Sequence, residues 1–317
     1  MKPQTTGSRW RGLTVLLCCS LGVGNAGAAA VAAGCPPPAH KAFTLETGVL
    51  LACNPSGERA TSATVFDIPL SDRGSALARA RLKLRHTGAS DVIHFWNAQI
   101  AVGDEEYAMG IGDDLCPGSG PVIRSNLGYG KLSAGRDRVR LYAHQGSAPC
   151  TDGSLEIMAG STLDVWIEDG TCPKPQVIYA SHYRQVGFTD TYVWRTHLSP
   201  VVQLQYSSAS VETLLVMSVA EGSPDRNPNQ RCGEEVATLS TQLRLDEAVA
   251  DETTQILPAS QGMGHLVLDS EAERRIGPGD HLVELRVRAD FESSQVRTGG
   301  CCGDAAIFLV RGPHRNP

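Results

Sequence analysis

The chain is short of the features that announce a function. Beyond residue 34 no stretch approaches eighteen consecutive apolar residues, so nothing there reads as a membrane-spanning helix. Cys-x-x-Cys and His-Glu-x-x-His are missing and the nine histidines are scattered, so no zinc pattern is present. A Gly-x-Ser-x-Gly elbow, a P-loop and a Gly-x-Gly-x-x-Gly fingerprint are also missing, and with them the local signatures of serine hydrolases and nucleotide enzymes. The single candidate glycosylation sequon, Asn54-Pro55-Ser56, is blocked by its proline. No segment holds a 3.6-residue period for three turns. Basic residues are outnumbered, 28 to 34, for a net charge of -6. Such a balance argues against a nucleic-acid partner.

What is present begins with residues 1–34, which read as a signal peptide. Lys2, Arg9 and Arg11 precede a short apolar run, Gly12–Gly24, and Ala28-Ala29-Ala30 offers small residues for cleavage. The leader has no acid, so its removal takes the net charge from -6 to -9. An exported chain in the periplasm, at the cell surface or secreted is the expectation. Val31-Ala32-Ala33-Gly34-Cys35 also fits a permissive lipobox, which makes a lipoprotein anchored through Cys35 the alternative. Parity speaks against it. Eight cysteines follow the leader, and lipidating Cys35 leaves an odd seven in an oxidising compartment.

Period two dominates the rest. Ala78, Ala80, Leu82 and Leu84 alternate with Arg79, Arg81, Lys83 and Arg85. Leu163, Val165 and Ile167 alternate with Asp164, Trp166 and Glu168, and Val283 to Ala289 repeats the pattern. Each reads as one wet and one dry face of an antiparallel strand. A faint repeat links Leu132–Ile157 to Ile276–Leu309: turn glycine, strand, loop, Cys-x-Asp, strand. The fold expected is all-β, two tandem antiparallel sandwiches of jelly-roll or immunoglobulin type, residues 35–172 and 173–317, stapled by disulfides.

The segment from Val177 to Leu198 holds five of the seventeen aromatics and reads as a hairpin. Tyr179, Tyr183, Tyr192 and Trp194, beside His182, Arg195 and His197, form the candidate ligand-binding set. Flat rings next to hydrogen-bonding cations suit sugar or peptide recognition. The competing reading packs these rings between the two domains. The basic strand Arg79–Arg85 reads either as an anion-binding face or as an edge strand guarded by charge and paired with acids such as Asp164 and Glu168. An acidic chain favours the second.

Two acidic loops, Gly103–Glu106 and Gly112–Asp114, have the composition of calcium loops but no fixed ligand spacing. No cofactor is expected, with calcium the alternative. A Cys116–Cys150 bridge is expected, since both flank one hairpin-rich segment. Cys301 and Cys302 form a vicinal disulfide or pair with two different partners. Catalytic residues are not legible. The leading functional expectation is a non-enzymatic binding or structural protein whose partner is glycan or another surface protein. Its alternative is an extracellular hydrolase acting on glycan or another polymer, with its site at the domain junction.

Overall fold

The alternating stretches become strands, and no helix forms among the described residues. The computed structural model describes residues 35–51, 62–70, 74–87, 94–108, 110–115, 121–145, 155–183, 199–224, 235–258, 266–291, 296–297 and 304–312. The leader, Cys116, Cys150, Cys301 and Cys302 lie outside them. Residues 35–317 form one compact unit.

Eleven strands precede residue 168. In chain order they are β1 (Ala39–Thr44), β2 (Val49–Leu51), β3 (Ala63–Pro69), β4 (Gly74–His86), β5 (His94–Val102), β6 (Asp104–Ala108), β7 (Gly110–Leu115), β8 (Val122–Leu132), β9 (Arg138–Gln145), β10 (Leu155–Ile157) and β11 (Thr162–Ile167). The remainder are β12 (Val177–Tyr183), β13 (Ser199–Ser208), β14 (Glu212–Pro224), β15 (Glu235–Leu245), β16 (Ala248–Pro258), β17 (Leu266–Ile276), β18 (Gly279–Phe291), β19 (Val296–Arg297) and β20 (Asp304–Arg311).

They assemble into four antiparallel sheets. In the first half β1-β11-β4-β8 form one sheet, extended by β6, β10 and β2, and β3-β9-β5-β7 form the other. In the second half the orders are β12-β20-β14-β17, with β19 on β14, and β13-β18-β15-β16. Strand for strand these orders correspond: β4 occupies the place of β14, β9 that of β18, β8 that of β17. Each half is a jelly roll, its chain crossing between two sheets at nearly every connection. The faint sequence repeat marks this correspondence. The turn after Leu132 leads from β8 across to β9 and back to β10, and the turn after Ile276 leads from β17 to β18 and back to β20.

Burial follows the same logic, with one departure. Leu215, Met217, Val219, Phe308 and Val310 join the core of the first half, while Leu214, Val216, Ala220, Ile307 and Leu309 join that of the second. The sheet holding β14 and β20 is therefore buried on both faces. That is why these strands read as continuous apolar runs rather than alternating ones. Its partner across the junction is the sheet holding β4. The face of β4 that the sequence marks as wet is covered as far as Arg79 and opens from Arg81 to Arg85, and Trp166 beside Arg79 is only 2% exposed.

Two ties fix the passage from one half to the other. A disulfide joins Cys35 to Cys172, with Cα atoms 5.7 Å apart. Closing a loop of that length contributes about 5 kcal/mol in the chain-entropy account. Glu168 accepts hydrogen bonds from the backbone N–H of Gln176 (2.7 Å) and of Val177 (2.8 Å), and from the Tyr129 hydroxyl (2.7 Å). It thus anchors the start of β12 to β8.

A cleft at the junction as the candidate active site

The junction has two ends built from the same rows of side chains. Because β1, β11, β4 and β8 are in register, His40, Trp166, Leu77 and Tyr129 form one row across the sheet, and Asp164, Arg79 and Leu127 form the next on the same face. Where the row reaches Tyr129 the junction is aromatic. Tyr179 stacks on Phe308 (5.5 Å between centroids) and lies 5.3 Å from Tyr129, and Tyr107 meets Phe308 edge-on at 5.3 Å. Burial, with a smaller push from Glu106, raises the Tyr179 phenol above its usual range. Burial likewise raises that of Tyr129.

At the other end the junction opens into a cleft of about 1110 Å³. One wall belongs to the first half and carries His40, Trp166, Arg79, Arg81 and Arg124. The opposite wall carries Asp251, Asp269, Glu271 and Glu273, with the hydroxyls of Thr253 and Thr254. Arg79 binds across it. Its guanidinium gives one N–H to Glu271 Oε2 (2.5 Å) and another to Asp164 Oδ2 (3.2 Å), and lies 5.3 Å from the Trp166 ring centroid. Two carboxylates, one from each half, are thereby brought to one guanidinium whose side chain is only 6% exposed. Arg81 contacts Glu271 Oε2 (2.9 Å) and Asp269 Oδ2 (3.3 Å). Burial lowers the Arg81 pKa, but the two acids outweigh it and the net direction is up.

The second oxygen of Asp164 meets His40 Nε2 at 3.0 Å, and the imidazole stacks on Trp166 at 5.0 Å and 21°. A carboxylate that engages one ring nitrogen orients the imidazole and leaves the other nitrogen for proton exchange. On the far wall, Asp251 Oδ2 accepts the Glu271 backbone N–H at 2.9 Å, which ties β16 to β17 beside the ion pairs. The Trp166 face is covered by His40 on one side and Arg79 nearby, so this ring is a wall and not a stacking platform.

These residues were only partly readable in the sequence. Arg79 does pair with Asp164, directly opposite in the register. Its strand is no edge, however: β4 is hydrogen-bonded to β8 on one side and to β10 and β11 on the other. Glu168 pairs with no arginine of β4 and instead holds Tyr129 and the β12 backbone. His40 and Glu271 carried no local signal, since each depends on a neighbour far away in sequence.

The segment Val177–Leu198 divides. Its first arm is β12, which pairs with β20 over Val177–Tyr183, and Tyr179 is half-buried in the aromatic end of the junction. The side chains of His182 and Tyr183, together with Tyr192, Trp194, Arg195 and His197, lie outside the described residues. For the acidic loop at Gly103, the Asp104 carboxylate accepts from Ser133 (2.8 Å) and Arg136 (2.5 Å), which hold its pKa low. Among the described residues no group of three or more metal-binding side chains is present. Among the described residues there is no helix long and apolar enough to cross a membrane.

No protein-family model and no curated protein sequence matches this chain. Solved structures with a related course of chain are found at low similarity. A peptide-N(4)-(N-acetyl-β-D-glucosaminyl)asparagine amidase is 8% identical, with 88% of this chain and 98% of that one aligned at a TM-score of 0.39. A glycosylasparaginase from Flavobacterium meningosepticum, PNGase F, is 7% identical over 86% of this chain and 96% of its own, with a TM-score of 0.36. PNGF-II is 9% identical over 89% of this chain, which spans 65% of that protein's length, at a TM-score of 0.37. Scores of this size describe a loosely shared arrangement of sheets. By name these neighbours are an amidase and a glycosylasparaginase, against the expectation of a non-enzymatic binding or structural module and on the side of its alternative, an extracellular hydrolase.

Proposed function

We propose that the chain is an exported hydrolase acting on glycan or a glycan-bearing polymer, and that the junction cleft is its active site. The observation that carries this reading is the meeting of Asp164 and Glu271, from opposite halves, on the guanidinium of Arg79, with His40 on the second oxygen of Asp164. Hydrolysis of a glycosidic or glycosyl-amide bond needs a group to take a proton from water and a group to protonate the departing oxygen or nitrogen. His40, held by Asp164, takes the proton from water and returns it to the departing oxygen or nitrogen. Glu271, fixed by two guanidiniums, presents a positioned negative charge that stabilises positive charge developing on the sugar ring.

Export is supported by the disulfide between Cys35 and Cys172, which suits an oxidising compartment. A Cys35 sulfur committed to that bond has no thiol for a lipid thioether. The experiment is release of reducing or glycosyl-amine ends from a panel of polysaccharides and glycoproteins by the mature chain. Asp164→Asn and His40→Ala are each expected to lower the rate at least a hundredfold in protein whose circular dichroism stays that of the folded wild type. Undiminished hydrolysis by either folded variant would remove the cleft from the reaction.

A further inference from the structure

We infer that the cleft accepts uncharged, donor-rich glycan and turns away polyanions such as uronic-acid or sulfated polysaccharides. This rests on the reading of the cleft as a glycan site and adds the substrate class. The sequence offered Arg79, Arg81, Lys83 and Arg85 as an anion-binding face. In the folded protein these arginines meet acids of the chain itself. Arg79 is held between Asp164 and Glu271, Arg81 between Glu271 and Asp269, and Arg85 meets Glu156 outside the cleft. For Arg79 or Arg81 to bind a sulfate or a uronate, an ion pair spanning the two halves must break. For Arg79 that strands a carboxylate at a nearly buried position.

The balance of charge points the same way. Two guanidiniums, of Arg79 and Arg81, face five carboxylates, of Asp164, Asp251, Asp269, Glu271 and Glu273. A protonated His40 would still leave the acids in excess. The cleft therefore repels anionic chains through its own field, strongly at low salt and weakly at high salt. Carboxylate lone pairs and threonine oxygens mainly accept hydrogen bonds. A ligand that satisfies them brings donors: sugar hydroxyls and N-acetyl N–H groups.

The test is binding of matched hexasaccharides to the full mature chain at about 0.01 M and about 0.5 M salt, where screening lengths differ severalfold. The neutral probes are the cello-, manno-, xylo- and N-acetylchito-hexaoses; the acidic probes are oligogalacturonate, oligoalginate and a heparin hexasaccharide. At low salt at least one neutral probe binds, and every acidic probe binds at least tenfold more weakly than the best neutral one. The gap narrows at high salt. The double variant D251N/E273Q narrows it at least threefold at low salt. Should that variant fail to fold, Glu273→Gln alone is expected to narrow the gap in the same direction. An acidic probe binding as tightly as the neutral ones at low salt, or a gap that the folded variant leaves intact, overturns the inference while the glycan site stands. Binding of no probe at all overturns both.

Discussion

The two ends of the junction use one architecture for opposite purposes. At the aromatic end, Tyr107, Tyr129, Tyr179 and Phe308 close the seam between the halves with rings that pack on one another. At the charged end, side chains from other strands of the same two sheets keep the seam open as a cleft and hold it with ion pairs. Moving along a single strand, from Leu77 to Arg81 on β4, passes from a fully buried contact to a half-exposed one. Apolar contact is indifferent to direction and tolerates no gap, so it fixes the halves. Ion pairs tolerate a gap, so they suit the end that must admit a substrate.

The largest effect expected from breaking this comparison is at the aromatic end. Phe308 is fully buried between Tyr107 and Tyr179, and Phe308→Ala should destabilise by about 3–5 kcal/mol, read by urea unfolding. Ligand binding by the folded fraction is expected to persist. Arg79→Met comes next, costing about 3 kcal/mol or more, because it leaves Asp164 and Glu271 close together without their common cation. The triple variant Arg79→Met/Asp164→Asn/Glu271→Gln should recover most of that loss. A triple variant no more stable than the single one would show that packing of the Arg79 side chain, rather than charge, carries the effect.

Arg81 sharpens the contrast, since its side chain is 39% exposed. Arg81→Gln should cost no more than about 1 kcal/mol, with the difference shrinking as salt is added. The smallest effect lies beyond the junction, where the β15–β16 turn meets the start of β18. Asp246 and Glu247 both have positive φ, 49° and 68°, as a two-residue hairpin turn of this hand requires. Asp246 holds the Leu282 N–H at 2.9 Å and His281 Nδ1 at 2.6 Å. The hydrogen bond to Asp246, then that to the Gly277 carbonyl, raises the His281 pKa. The sign follows: His281 binds its proton more tightly folded than unfolded. Its contribution is fully present below about pH 6.5 and is lost as pH rises through the raised value. Stability measured from pH 5.5 to 8.5 should fall slightly in the wild type relative to His281→Gln. A flat difference would show that the pair is not formed in solution.

How much of this was legible depends on which contacts are local. Alternation from Ala78 to Arg85 and from Leu163 to Glu168 predicted antiparallel strands, and strands formed. The repeat around Leu132 and Ile276 predicted two like sandwiches, and the strand orders agree. The continuous runs Leu214–Ala220 and Ala305–Val310 were the available sign that one sheet is buried on both faces. Arg79, Asp164 and Trp166 were assigned to a wet face because nothing near them in sequence says that a second domain covers it.

What the sequence determined by itself was therefore everything that depends on a residue and its near neighbours: strand periodicity, turns and the all-β class. Only the tertiary structure decided which polar face would be buried, which arginine would meet which acid, and where a cleft would remain. Asp164 and Glu271 are 107 positions apart and act together only because two jelly rolls dock face to face. Hydrophobic alternation states that a strand has two faces, but the partner of each face is set by packing between sheets. No pattern confined to one strand contains that information.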